Sequence, residues 1–207
     1  MRPVRTIVAV LFAATIAVTG CRAYSSVDQP SPPPNPTHAP RPPIYRSGPT
    51  PVDRQAPIYA AVLRQYLTSG GGHDGGDAGF GGHRFPQIFV LDHAVAGVGG
   101  PGEQGAAGGA PISPAVRGEI THALVDVGPL SFVPSPEAVI VDRDGCAGVR
   151  DQGILITLGP VEEVNGQVQV GVYGFVACLG ASSLTYRVER TSCGWRVAGV
   201  AAWGPVS

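Results

Sequence analysis

The sequence predicts an α+β fold, two helices packed on a mostly antiparallel, curved β-meander, and three observations carry that expectation. Two segments place apolar residues at helical spacing, first at Ile58, Val62 and Tyr66 and again at Val116, Ile120 and Leu124. From Glu137 onward the chain changes to short runs rich in β-branched residues. Between two of these runs lies Asn165-Gly166, a dipeptide suited to a hairpin turn in which both central residues need positive φ. Helices followed by a run of hairpin-linked strands make an α+β domain.

The elements follow in order. A helix is expected over 57–67, where Pro57 fits a first-turn position, Leu63 and Leu67 widen the apolar stripe, and Thr68-Ser69-Gly70 stops it. Ile88-Phe89-Val90-Leu91 reads as a short strand. Ser113 caps a second helix with Pro114 at its first position, and Gly128-Pro129 ends it. Strands are expected over 138–142 and 153–164. Pairing outward from Asn165-Gly166 sets Val164 opposite Gln167, Val161 opposite Val170, Ile156 opposite Phe175 and Gly153 opposite Cys178. Pro160 has no N–H for that ladder, so a bulge there can slip the far register by one.

Two further strands, 184–190 and 195–202, would place Glu189 across from Arg196 and Val188 across from Val197. That puts a charged pair on the wet face and an apolar pair on the buried one. Tyr173, Phe175, Tyr186, Trp195 and Trp203 are expected in the core, and Arg187, Glu189 and Arg196 on a solvated face.

Composition divides the chain. Its 207 residues carry a net charge of -1 and no lysine, which excludes an electrostatic grip on nucleic acid. Eleven of the 21 prolines lie between residues 30 and 57, so that stretch reads as an extended polyproline II stalk. Fifteen of the 30 glycines lie between residues 70 and 110, in two loops near 70–84 and 97–110. The expected organisation is a signal peptide over 1–20, a lipidated cysteine and Pro-rich stalk over 21–56, and a globular domain over 57–207.

The signal peptide is read from Arg2 and Arg5 followed by an uncharged run over 6–18. As a helix that run rises roughly 20 Å, short of the ~30 Å hydrocarbon core. Val18-Thr19-Gly20-Cys21 follows directly and resembles the lipobox of bacterial lipoproteins. The resemblance covers about a tenth of the chain. It implies acylation of Cys21, by palmitate or a similar chain, and anchoring by two or more acyl chains to the extracytoplasmic face of the cell membrane. The chain is also similar to small uncharacterised lipoproteins of high-GC Gram-positive bacteria. Its element order loosely resembles cystatin-like or NTF2-like cone folds, which host binding proteins and enzymes alike.

With Cys21 acylated, Cys146, Cys178 and Cys193 remain. Cys178 and Cys193 flank opposite ends of one strand, roughly 23 Å apart, beyond the ~7 Å reach of a disulfide. Cys146 and Cys178 share one end of the hairpin, so they are expected to pair, and Cys193 to stay a single thiol.

No catalytic or metal motif stands out, and no cofactor is expected. His73, Asp74, Asp77 and His83 lie in a glycine-rich loop without the spacing of a metal site. Asp142-Arg143-Asp144-Gly145 reads as a turn before a strand. Asp92 and His93 follow a strand, and with His122 they are the candidate polar residues of a pocket under the sheet, although His122 lies off the apolar stripe. The function expected is a non-catalytic binding or interaction domain with an unknown protein or small-molecule ligand. The alternative is a small enzyme or small-molecule binder using a cavity under the curved sheet.

Overall fold

The computed structural model describes residues 51–69, 80, 82–98, 109–178 and 180–203. The chain falls into two units, Met1–Pro43 and Ile44–Ser207, and every described residue belongs to the second. The segments expected as signal peptide (1–20) and stalk (up to residue 50), Cys21 between them and most of the two glycine-rich stretches lie outside the described residues.

Two helices and a large, curved mixed sheet make an α+β fold. Helix α1 (Pro51–Thr68) begins six residues before the expected start and carries Pro57 inside it. Pro51 can open a helix without losing a bond, whereas Pro57 gives up one rung of the ladder. Helix α2 (Pro114–Ala123) begins as expected, with the Ser113 side chain accepting the Val116 N–H at 3.3 Å. Such a cap contributes about 1 kcal/mol. The helix closes at Ala123, earlier than Gly128-Pro129, with turn residues over 124–127.

The strands are β1 (Ile88–Leu91), β2 (His93–Ala94), β3 (Ala110–Pro111), β4 (Leu130–Val133), β5 (Ile140–Arg143), β6 (Cys146–Val149), β7 (Ile154–Leu158), β8 (Glu162–Val164), β9 (Gln167–Ala177), β10 (Gly180–Thr191) and β11 (Gly194–Trp203). The main sheet runs β11-β10-β9-β7-β1-β4, while β8, β7 and β6 pair in turn along one side of β9. Most pairings are antiparallel. The meander is interrupted where β1 runs parallel to both β4 and β7.

Asn165 and Gly166 have φ of 52° and 74°, so both turn positions are left-handed as the hairpin requires. Near the turn Val164 faces Gln167, but farther out Ile156 faces Gly174 and Leu155 faces Phe175, a slip of one residue from the expected register. The expected strand over 153–164 is in fact two, broken at Gly159-Pro160-Val161, where Pro160 has no ladder N–H to give. Glu189 faces Arg196 and forms an ion pair with it, and Val188 faces Val197.

Both helices cover one face of the sheet. Between them the core holds Tyr59, Leu63 and Tyr66 of α1, Ile120 of α2 and Leu124 just beyond it, and Ile88, Ile154, Ile156, Leu184 and Tyr186 of the strands. The opposite face carries a second cluster of Phe89, Leu91, Val133, Val139, Val149 and Leu155. Strands β1 and β7 are therefore buried along their whole length. Burial on both faces suits parallel neighbours and hides the alternation that would betray a strand.

Cys146 and Cys178 are joined, with Cα atoms 5.6 Å apart, because Gly148 of β6 pairs with Ala177 of β9. Cys193 does not remain a single thiol. It is disulfide-bonded, to a partner outside the described residues.

Candidate functional site

The three parallel strands end side by side, and the chain leaving β1 there carries Asp92 and His93. Their backbone is pinned on both sides. The Asp92 N–H donates to the Val133 carbonyl at 2.9 Å, and the Asp92 carbonyl accepts from the Ile112 N–H at 2.8 Å. His93 then pairs with Pro111 across the small β2–β3 sheet. Gly109 is required beside it, since a Cβ there would stand 2.1 Å from the Ala94 carbonyl oxygen and 2.9 Å from the His93 ring.

The side chains form one charged network. His93 Nδ1 lies 3.0 Å from Asp92 Oδ1, and Arg117 Nη1 lies 3.4 Å from Asp92 Oδ2. The Arg117 guanidinium rests over the Phe132 ring, 5.9 Å from its centroid. Side-chain exposure of 33% for Asp92, 22% for His93 and 30% for Arg117 leaves the network at a half-buried rim. With Nδ1 engaged, His93 Nε2 is the ring nitrogen left to give or take a proton. Among the described residues no hydroxyl or thiol is hydrogen-bonded to His93, so the network orients an imidazole without presenting a nucleophile to it.

Asp92 and His93 therefore meet at this rim and line none of the clefts found among the described residues, and His122 does not join them. It stands exposed in the last turn of α2, between the buried positions Ile120 and Leu124. Arg117 is the member that sequence reasoning missed. A charged residue beside a helical stripe reads as a solvated face, and only the packing of α2 near β4 turns it toward Asp92.

Among the described residues, Tyr59, Tyr66 and Tyr186 stand buried between the helices and the sheet. The Tyr59 hydroxyl donates to the Gly159 carbonyl at 3.1 Å, and the Tyr66 hydroxyl donates to the Ser182 carbonyl at 2.8 Å. Burial pushes the Tyr59 phenol up to about 12 and raises that of Tyr66 as well. Clefts among the described residues open on the outside. One of about 230 Å³ borders the Arg64–Asp126 ion pair, whose guanidinium holds the Asp126 carboxyl down to about 2. Others of about 440 and 480 Å³ border the β5–β6 hairpin and Trp195 respectively. His83, the described member of the loop histidines, stacks obliquely on Phe85 with ring centroids 5.5 Å apart. His73, Asp74 and Asp77 lie outside the described residues.

No protein-family model, no curated protein and no solved structure matches the chain. Among the described residues no helix is long and apolar enough to cross a membrane.

Proposed function

We propose that the chain is an exported lipoprotein, acylated at Cys21 and held at the extracytoplasmic face of the cell membrane, whose stalked domain recognises a partner through its surface. The observation that carries the reading is the placement of Val18-Thr19-Gly20-Cys21 directly after the uncharged run of 6–18. The nine prolines of 30–49 support it, since the 29 residues of 22–50 that precede α1 reach roughly 90 Å from an anchor in polyproline II. Surface recognition is favoured by the burial of Tyr59, Tyr66 and Tyr186 among the described residues between helices and sheet.

The reading has a chemical consequence at Cys193. A sulfur in a thioether to lipid cannot also form a disulfide, so acylation of Cys21 and a Cys21–Cys193 disulfide exclude each other. The test of the anchor is metabolic labelling with an alkyne-tagged palmitate. The full chain is expected to carry label and Cys21→Ser to carry none; an unlabelled parent, or equal label in both, would overturn the proposal. Crosslinking from intact cells then identifies what the domain touches.

A further inference from the structure

We propose that the cleft between the start of β1, the β5–β6 hairpin and the end of β9 is a binding site for an amphiphilic anion, a carboxylate or phosphate carried on a short apolar chain. The observation behind it is the distribution of arginines. Nine lie among the described residues, and five of them, Arg54, Arg64, Arg117, Arg150 and Arg196, are each within ion-pair distance of a carboxylate. The remaining four are Arg84, Arg143, Arg187 and Arg190: Arg84 and Arg143 line one cleft, Arg187 and Arg190 line another together with Arg54, and Arg84 also borders the cleft of the Arg64–Asp126 pair. The cleft of Arg187 and Arg190 also holds Glu163 and Glu189, which offset its charge. Among the described residues no aspartate or glutamate lines the cleft of Arg84 and Arg143.

That cleft has a volume of about 440 Å³, within the usual range for small-molecule sites. Its apolar wall is fixed, because Phe85 and Val149 are buried core residues, and Val176 and the Cys146 half of the disulfide complete it. Gly153 lines the cleft too, and it carries no side chain because a Cβ there would come 2.7 Å from the Gln87 carbonyl oxygen. Two guanidinium forks without a carboxylate partner match the planar oxygens of a carboxylate or phosphate, and the wall beside them takes an alkyl chain. A purely mineral anion leaves that wall wet, and a neutral amphiphile leaves both arginines without a counter-charge.

The test is ligand-observed saturation-transfer NMR on the full chain in neutral phosphatidylcholine nanodiscs, with hexanoate as probe and empty nanodiscs as blank. Hexanoate is expected to give signal above the blank, with hexanol well below it and inorganic phosphate displacing hexanoate only weakly when added as a competitor. Arg84→Ser/Arg143→Ser should weaken hexanoate binding about tenfold, the product of two partly exposed charged contacts. Arg187→Ser/Arg190→Ser serves as the control and should bind as the parent does. Signal equal to the blank, or unchanged in the Arg84/Arg143 variant, overturns the proposal. Nanodiscs containing phosphatidylglycerol separate the two sources of such an anion: loss of the hexanoate signal assigns the cleft to a lipid headgroup, and persistence assigns it to a soluble anion.

Discussion

Replacing Gly174 by alanine tests how the first helix is seated on the sheet. A Cβ at Gly174 would stand 2.4 Å from the Tyr66 hydroxyl oxygen, 2.9 Å from its ring Cε1 and 3.0 Å from the Phe80 ring. Tyr66 is fully buried and its hydroxyl is bonded to the Ser182 carbonyl at 2.8 Å, so the ring must move about 1 Å against packed neighbours. Overpacking of this kind costs about 1–3 kcal/mol, and disturbing the buried hydrogen bond adds about 1 kcal/mol. Gly174→Ala should therefore lose about 2–4 kcal/mol in urea unfolding, and its Tm should fall by about 5–15 °C. Tyr66→Phe removes the closest atom of the clash, so its cost of about 1 kcal/mol should shrink or change sign in the alanine background. That gives a coupling of about 1 kcal/mol or more in a double-mutant cycle. Stability within about 0.5 kcal/mol of the parent, or strict additivity of the two changes, would refute the reasoning.

Other consequences are open to the same kind of measurement. The Cys146–Cys178 bridge closes 32 residues of chain, a constraint worth about 3.7 kcal/mol on the chain-entropy model. Serine at both positions should lower the urea midpoint accordingly, whereas a loss under about 1 kcal/mol would mean that the bridge does not hold β6 to β9. Because Tyr59 and Tyr66 keep their protons in the fold above the unfolded value of 10.0, stability should fall as pH rises from 10 towards 12. Circular dichroism and tyrosinate absorbance should change together; ionisation of every tyrosine near pH 10 with the fold intact would contradict this. Asp92→Asn, which breaks the contacts to His93 and Arg117 at a partly exposed rim, should cost about 1 kcal/mol and less at high salt, while His122→Ala should stay within about 0.5 kcal/mol.

What was legible in the sequence was local. The Ser113 cap, the Asn165-Gly166 turn and the Glu189–Arg196 register each depend on a few neighbouring residues, and each formed as the sequence implied. The Cys146–Cys178 pair followed from those local turns by simple strand lengths. The parallel strand β4 was illegible because Leu-Ser-Phe-Val is too short to show a period, and its partner β1 lies 42 residues earlier. Strand β6, Cys-Ala-Gly-Val, has small side chains and carries little propensity of its own. Of the candidate site, Asp92 and His93 are adjacent in sequence and were found together. Arg117 joins them across 25 residues through packing alone, which no spacing rule encodes. Residue 193 was misjudged because counting cysteines after an assumed acylation fixes their number in advance.

The central claim, a domain displayed from a lipidated Cys21, meets its most direct test in non-reducing mass mapping of the chain extracted from membranes. The account predicts a mature N-terminus at Cys21 with a diacylglyceryl thioether on its sulfur. A peptide pair joining Cys21 to Cys193 by a disulfide would contradict it, as would a chain that retains residues 1–20.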